Sequence, residues 1–171
     1  MRLLTLIVSL VGATLIVVPA FAGPTCKEDC KRYGQCQRQG AMCIAVSEAD
    51  CQTCTSCKEA GSCSLKGTEC RPMNSADCKK GSQCKIAGNC SLADSGQYCD
   101  AGNDADCKQS MLCPKFGACK AQGGGCVAGS EADCKRSLVC KKEKKCFLLN
   151  GRCGLRDGSD QDEDRCLEPE G

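Results

Sequence analysis

The chain has 171 residues, a formal net charge of +2, no histidine, no tryptophan and 22 cysteines. Near-neutrality excludes a global electrostatic drive toward nucleic acid, and the missing histidine excludes Ser-His and Cys-His nucleophile pairs and imidazole zinc sites. Only 20 Leu, Ile, Val, Met, Phe and Tyr lie outside the first 22 residues, too few for apolar burial alone to offset the entropy of ordering the chain, so the cysteines are read as the cross-links that replace a core.

At the N-terminus, Met1-Arg2 is followed by an apolar run over Leu3–Val18 and by Pro19-Ala20-Phe21-Ala22, which has the small-x-small form of a signal-peptidase site. Residues 1–22 are therefore predicted to be a signal peptide cleaved after Ala22. An uncleaved anchor is the alternative, but a 16-residue run is shorter than the roughly 20 residues of a membrane span. Cleavage leaves no span and a secreted or periplasmic protein, where disulfides persist.

Aligned on cysteine, the remainder is a tandem repeat. The sets are Cys30, Cys36, Cys43, Cys51; Cys57, Cys63, Cys70, Cys78; Cys84, Cys90, Cys99, Cys107; Cys113, Cys119, Cys126, Cys134; and Cys140, Cys146, Cys153, Cys166. They start 27, 27, 29 and 27 residues apart, the mark of stacked supersecondary units. The segments are 23–56 (an N-terminal extension and repeat 1), 57–83, 84–112, 113–139, and 140–171, the last ending in an acidic cap.

Within each unit, Ser47, Asn74, Asn103 or Ser130 stands at a helix N-cap, with Asp50, Asp77, Asp106 or Asp133 three residues on, a capping-box variant. Lys58, Lys85 and Lys141 suit helix C-termini, and Gly61, Gly88 and Gly117 stand where a left-handed residue closes a helix. Lys144 breaks that pattern, and Pro114 is expected to end the third helix early. Helices are predicted near 48–60, 75–87, 104–113 and 131–143. Glycines between the next two cysteines, Gly40, Gly67, Gly96, Gly123 and the Asn150-Gly151 pair, predict a β-hairpin after each helix. The fold class is small and disulfide-rich: tandem repeats of a short α-helix and a small β-hairpin with little hydrophobic core.

Two cysteines fall outside the sets, Cys26 and Cys54, and are predicted to pair with each other. Cys54 occupies the place of Gly81, Ser110 and Ser137 in the other units. Within each set of four, three connectivities remain open. A shift of the frame would orphan Cys166 instead of Cys26.

Cys51, Cys54 and Cys57 have the spacing of a metal knuckle or redox pair, but the next cysteine is Cys63, not the fourth ligand of a ferredoxin run. The repeated aspartates have a capping role, so no catalytic, cofactor-binding or metal constellation is assigned. The last loop carries Asp157, Asp160, Asp162 and Asp164 against the basic Lys141-Lys142-Glu143-Lys144-Lys145 of the same unit. It is read as a solvated acidic loop, with calcium as the alternative through those four carboxylates; Arg165 stands where an EF-hand needs glycine. The stretch Asp157-Gly158-Ser159-Asp160 before Cys166 is similar to the end of LDL-receptor class A modules.

The repeated Ala-Asp-Cys-Lys, five residues to the next cysteine, then Gly-x-Cys, resembles tandem cysteine-rich repeats in exported proteins of Gram-negative bacteria. That resemblance covers residues 30–153 and implies export and repetition. The expected function is a non-enzymatic structural or protein-binding role toward an unknown protein or surface ligand, at the envelope or outside the cell. A secreted inhibitor or toxin-like effector, and a cysteine-based metal-binding protein, are the alternatives.

Overall fold

In a computed structural model, residues 25–156 are described. The expected alternation of helix and hairpin is present, and each helical segment after the first is divided. The order is α1 (Lys27–Tyr33), β1 (Gln37–Gln39), β2 (Met42–Ile44), α2 (Glu48–Thr53), α3 (Thr55–Ala60), β3 (Ser64–Lys66), β4 (Glu69–Arg71), α4 (Ser75–Lys80), α5 (Ser82–Ala87), β5 (Ser91–Leu92) and β6 (Cys99–Asp100). Then come α6 (Asp104–Gln109), α7 (Leu112–Phe116), β7 (Lys120–Gln122), β8 (Gly125–Val127), α8 (Glu131–Arg136), α9 (Leu138–Glu143), β9 (Phe147–Leu149) and β10 (Arg152–Gly154). Each consecutive pair of strands forms its own two-stranded antiparallel sheet.

The single helices predicted over 48–60, 75–87, 104–113 and 131–143 are each two helices joined at one extended residue. At Cys54, Gly81, Ser110 and Ser137, φ lies between −78° and −72° and ψ between 141° and 162°. At Cys54, Gly81 and Ser137 this residue ends one helix and starts the next; in the third unit Ser110 ends α6 and Met111 stands between it and α7. Ser137 shows how: its hydroxyl donates to the Cys134 carbonyl at 2.6 Å and accepts from the Cys140 N–H at 3.2 Å, so one side chain serves both ends. Pro114 does not end α7 as expected. It lies in the first turn of a helix that begins at Leu112, where a missing N–H forfeits no intrahelical bond.

The predicted N-caps are in place. Ser47, Asn74, Asn103 and Ser130 accept from the N–H of Asp50, Asp77, Asp106 and Asp133. Asp77 and Asp106 are buried and reach past the cap to the preceding hairpin. The Ser64 hydroxyl donates to Asp77 at 2.7 Å, and Ser91 does the same to Asp106. Burial by itself would raise the Asp77 carboxyl, but the Ser64 and Met73 hydrogen bonds and the Lys80 ammonium together hold it below the usual carboxylate value. Asp77 thus ties the start of α4 to β3 in the unit before it.

Ten disulfides among the described residues replace an apolar core, and they require an oxidising compartment. No described helix is long and apolar enough to cross a membrane. The bridges close sets that begin one cysteine earlier than the sequence alignment: 26–43, 51–70, 78–99, 107–126 and 134–153. In each set the outer two cysteines pair and the inner two pair. Segments cut at 57, 84, 113 and 140 are therefore joined across each cut, by Cys51–Cys70, Cys78–Cys99, Cys107–Cys126 and Cys134–Cys153. The first set is shorter, with Cys26 standing directly at the start of α1.

Small residues bring the repeats close together. The buried apolar positions are cysteines, Ala45, Ala93, Ala101, Ala118, Ala128 and Val139. Ala45 N–H donates to the Thr68 carbonyl at the tip of the next hairpin, and Ala101 and Ala128 donate to Gly124 and Gly151 in the same way. At the equivalent place between the second and third repeats stands Pro72, fully buried and without an N–H. The hairpin it meets has the longer turn, in which Ala93 N–H bonds the Tyr98 carbonyl, so the absent donor coincides with the altered tip.

Gly61 shows why glycine closes the second helix. Its φ is +75°, and a Cβ there would stand 2.7 Å from both the Asp77 carbonyl oxygen and the Cys78 Cα of the next repeat. Gly34, Gly88 and Gly117 meet the following repeat in the same manner. Lys144 takes the same left-handed turn, φ 64°, in the final described repeat, where no further described repeat stands against it. Gly67 also has positive φ, at a hairpin tip, but nothing lies within 4 Å of a Cβ there. Gly67→Ala is expected to cost about 1 kcal/mol, the left-handed strain alone. Gly61→Ala adds a backbone displacement and should cost roughly 2–4 kcal/mol. Amide exchange of the two variants in oxidised protein checks the difference; equal costs would contradict the contact.

Candidate functional site

The predicted Cys26–Cys54 bridge is not formed. Cys26 pairs with Cys43 of the first hairpin, and Cys54 is a buried free thiol. The reason lies in the helix break: Cys54 is the junction residue between α2 and α3, turned inward beside Cys57 and Cys63. Its sulfur is 3.1 Å from the Cys51 carbonyl oxygen and 3.1 Å from the Ser56 hydroxyl. Ser110 and Ser137 make the equivalent bond to the carbonyl three residues before them. Cys54 is thus a thiol in a hydroxyl's place, and its alignment with those serines was the signal in the sequence that pointed to this role.

Of the 21 cysteines among the described residues, 20 are in disulfides. A bridged sulfur is not the thiolate that binds metal or acts as a nucleophile. Among the described residues, no three His, Cys, Asp or Glu side chains are grouped to hold a metal ion. The four aspartates considered for calcium, Asp157, Asp160, Asp162 and Asp164, lie outside the described residues with Cys166 and the signal peptide. Burial, then the Asp94 and Asp106 charges, push the Asp100 carboxyl upward.

The structure also holds a feature that the sequence reading did not identify, a series of clefts between successive repeats. At the first junction, Tyr33 and Gln35 face Ser62, Glu69, Arg71 and Gln97 across about 380 Å³. At the second, a smaller cleft of about 110 Å³ lies among Ala60, Ser62, Asn89, Gln97 and Tyr98. The two share Ser62 and Gln97. At the last junction, Leu112, Phe116, Ala118 and Val139 line about 360 Å³ with Glu143, Lys145 and Arg152, and a second cleft of about 450 Å³ lies among Lys108, Pro114, Asp133 and Arg136.

These clefts are built from equivalent positions. Tyr33 and Phe116 each stand three residues after the first cysteine of a Cys-x5-Cys pair, and Glu69 and Arg152 each precede the outer cysteine of their hairpin. Arg32 lies 5.3 Å from the Tyr33 ring and Lys115 lies 4.9 Å from the Phe116 ring, a cation–π pair repeated at both junctions. The scaffold is constant while the lining changes from polar and tyrosine-rich to apolar and basic. Tyr33 and Tyr98 remain 43% and 59% exposed, the arrangement of aromatic side chains that present both a ring and a hydroxyl to a partner.

No protein-family model matches the chain, and no curated protein or solved structure matches it.

Cys54→Ser should leave stability within about 0.5 kcal/mol, since serine serves this junction elsewhere, while Cys54→Val removes the bonds to the Cys51 carbonyl and the Ser56 hydroxyl and should cost roughly 1–2 kcal/mol. Amide exchange across α2 and α3 measures both. A serine variant as damaged as the valine variant would contradict the capping role.

Proposed function

We propose that this chain is an exported, non-enzymatic repeat protein whose row of inter-repeat clefts binds a protein or surface ligand at the cell envelope or outside the cell. The observation that carries this reading is the contrast between fixed and variable positions. Cysteines, helix caps and contact glycines recur from unit to unit, whereas the side chains that line equivalent clefts do not. Variable side chains lining clefts on a constant stack are how repeat proteins present an extended binding surface. Tyrosine and arginine at the first two clefts are residue types that dominate binding energy at protein interfaces. The bridged cysteines and the absent histidine leave little nucleophilic or acid–base chemistry for catalysis. The resemblance to exported tandem cysteine-rich repeats supports the same placement.

The test is site-specific photocrosslinking in the exporting cell, with the reactive group at position 33 or 98 in the clefts and at position 79, which lines none of the clefts described. Discrete adducts are expected from 33 and 98 and not from 79, with Arg71→Ala reducing the adduct at 33 by about tenfold. Equal labelling from all three positions, or none from the clefts, would contradict a binding role for this face.

A further inference from the structure

The charge of the chain is strongly segregated. Residues 25–106 carry 10 Lys and Arg against 11 Asp and Glu, and residues 107–156 carry 11 against 3. Residues 157–171 reverse the sign, with 7 acidic residues and Arg165 alone as a base. The positive excess of the folded repeats therefore lies in the last two units, next to an acidic segment of nearly equal and opposite charge.

One of the two clefts between those units differs in kind from the clefts at the first two junctions. Its floor is apolar, with Leu112, Phe116 and Val139, and its charged lining is Glu143, paired with Lys145 at 3.4 Å, together with Lys145 and Arg152, a net positive rim. Lys141, Lys142 and Lys144 follow on α9 and its closing turn. β10 ends at Gly154, and its Arg152 and Cys153 themselves line the cleft. The acidic segment thus departs three residues beyond the cleft wall. Fifteen residues reach up to about 50 Å when extended, which more than covers the distance back. The segment has one large aliphatic side chain, Leu167, set among Glu163, Asp164, Glu168 and Glu170. That is an apolar anchor flanked by carboxylates, the complement of an apolar floor beside cationic side chains.

We propose that the acidic segment 157–171 docks in the cleft between the last two repeats, with Leu167 against Leu112, Phe116 and Val139 and its carboxylates toward the basic side chains of α9 and β10. A tether this short gives the segment an effective concentration on the order of millimolar at the cleft, so even weak charge attraction and one buried leucine suffice for occupancy. A separate acidic ligand at this cleft would have to displace the segment first. The proposal does not depend on the binding role of the other clefts, because it concerns two parts of one chain.

The test uses the full oxidised protein. Amide shifts of Leu112, Phe116 and Val139 are recorded by NMR, and amine acetylation of Lys145 is followed by mass spectrometry. These are compared for the native chain, the tail variant Asp160→Asn, Asp162→Asn, Glu163→Gln, Asp164→Asn, and Leu167→Ser. Both variants are expected to shift the three amides and to raise Lys145 acetylation at least about threefold. Raising salt from about 50 mM to about 0.5 M should do the same to the native chain. Added peptide of sequence 157–171 should shift the three amides in the tail variant, where the cleft is vacated, far more than in the native chain. Unchanged amides and acetylation in both variants would overturn the proposal. Changes that appear only at high protein concentration would overturn it too, since they would place the segment on a second copy.

Discussion

The fold depends on a nested pair of disulfides, repeated five times. The inner bridge spans six residues and fastens the body of a helix to the start of a hairpin; the outer bridge spans 17 to 21 and fastens the preceding helix, or its start, to the hairpin's second strand. Helices of five to seven residues and isolated two-stranded hairpins do not persist alone in water. Closing loops of about 20 residues removes roughly 3 kcal/mol of denatured-state entropy per bridge. Sulfur at the centre goes with small neighbours: the other buried apolar residues are alanines, Pro72 and Val139, while Tyr33, Tyr98 and Phe116 stay exposed and line the clefts.

Stacking is a separate matter from fastening, because no described disulfide joins one bridged set to the next. It rests on three kinds of contact. A left-handed glycine lets one repeat touch the helix start of the next, an N–H two residues past the outer cysteine reaches the next hairpin tip, and a buried aspartate accepts from the preceding hairpin. The first two have one informative exception each: Lys144 stands where no further described repeat follows, and Pro72 stands where the next hairpin tip is altered. The third is made by Asp77 and Asp106 among the described residues; Gln37 occupies the place of Ser64 and Ser91 before Asp50, and Lys120 occupies it before Asp133, which instead accepts from Ser130 and Arg136.

Periodicity made the repeat, the caps and the hairpins legible, because Asn74, Asp77 and Gly67 act through residues a few positions away. The helix break was not legible, since the junction residue is glycine in one unit, serine in two and cysteine in another, and what they share is an extended backbone rather than a side chain. The bridge frame failed for a related reason. Counting from Cys30 gave equal sets, but Cys26-x3-Cys30 is a shortened version of Cys51-x5-Cys57, and Cys54 drew Cys26 to itself by arithmetic rather than by geometry. The clefts could not be seen at all in the sequence, because Tyr33, Arg71 and Gln97 meet only through stacking.

Non-reducing peptide mapping tests the nested frame most directly. The oxidised protein is digested at lysine and arginine and the bridged fragments are identified by mass spectrometry. The account predicts fragments joined through Cys26–Cys43, through Cys51–Cys70 and its equivalents, and through the five bridges of six-residue span, with Cys54 alkylated only after denaturation. A Cys26–Cys54 fragment, or bridges that pair cysteines of different sets, would contradict it.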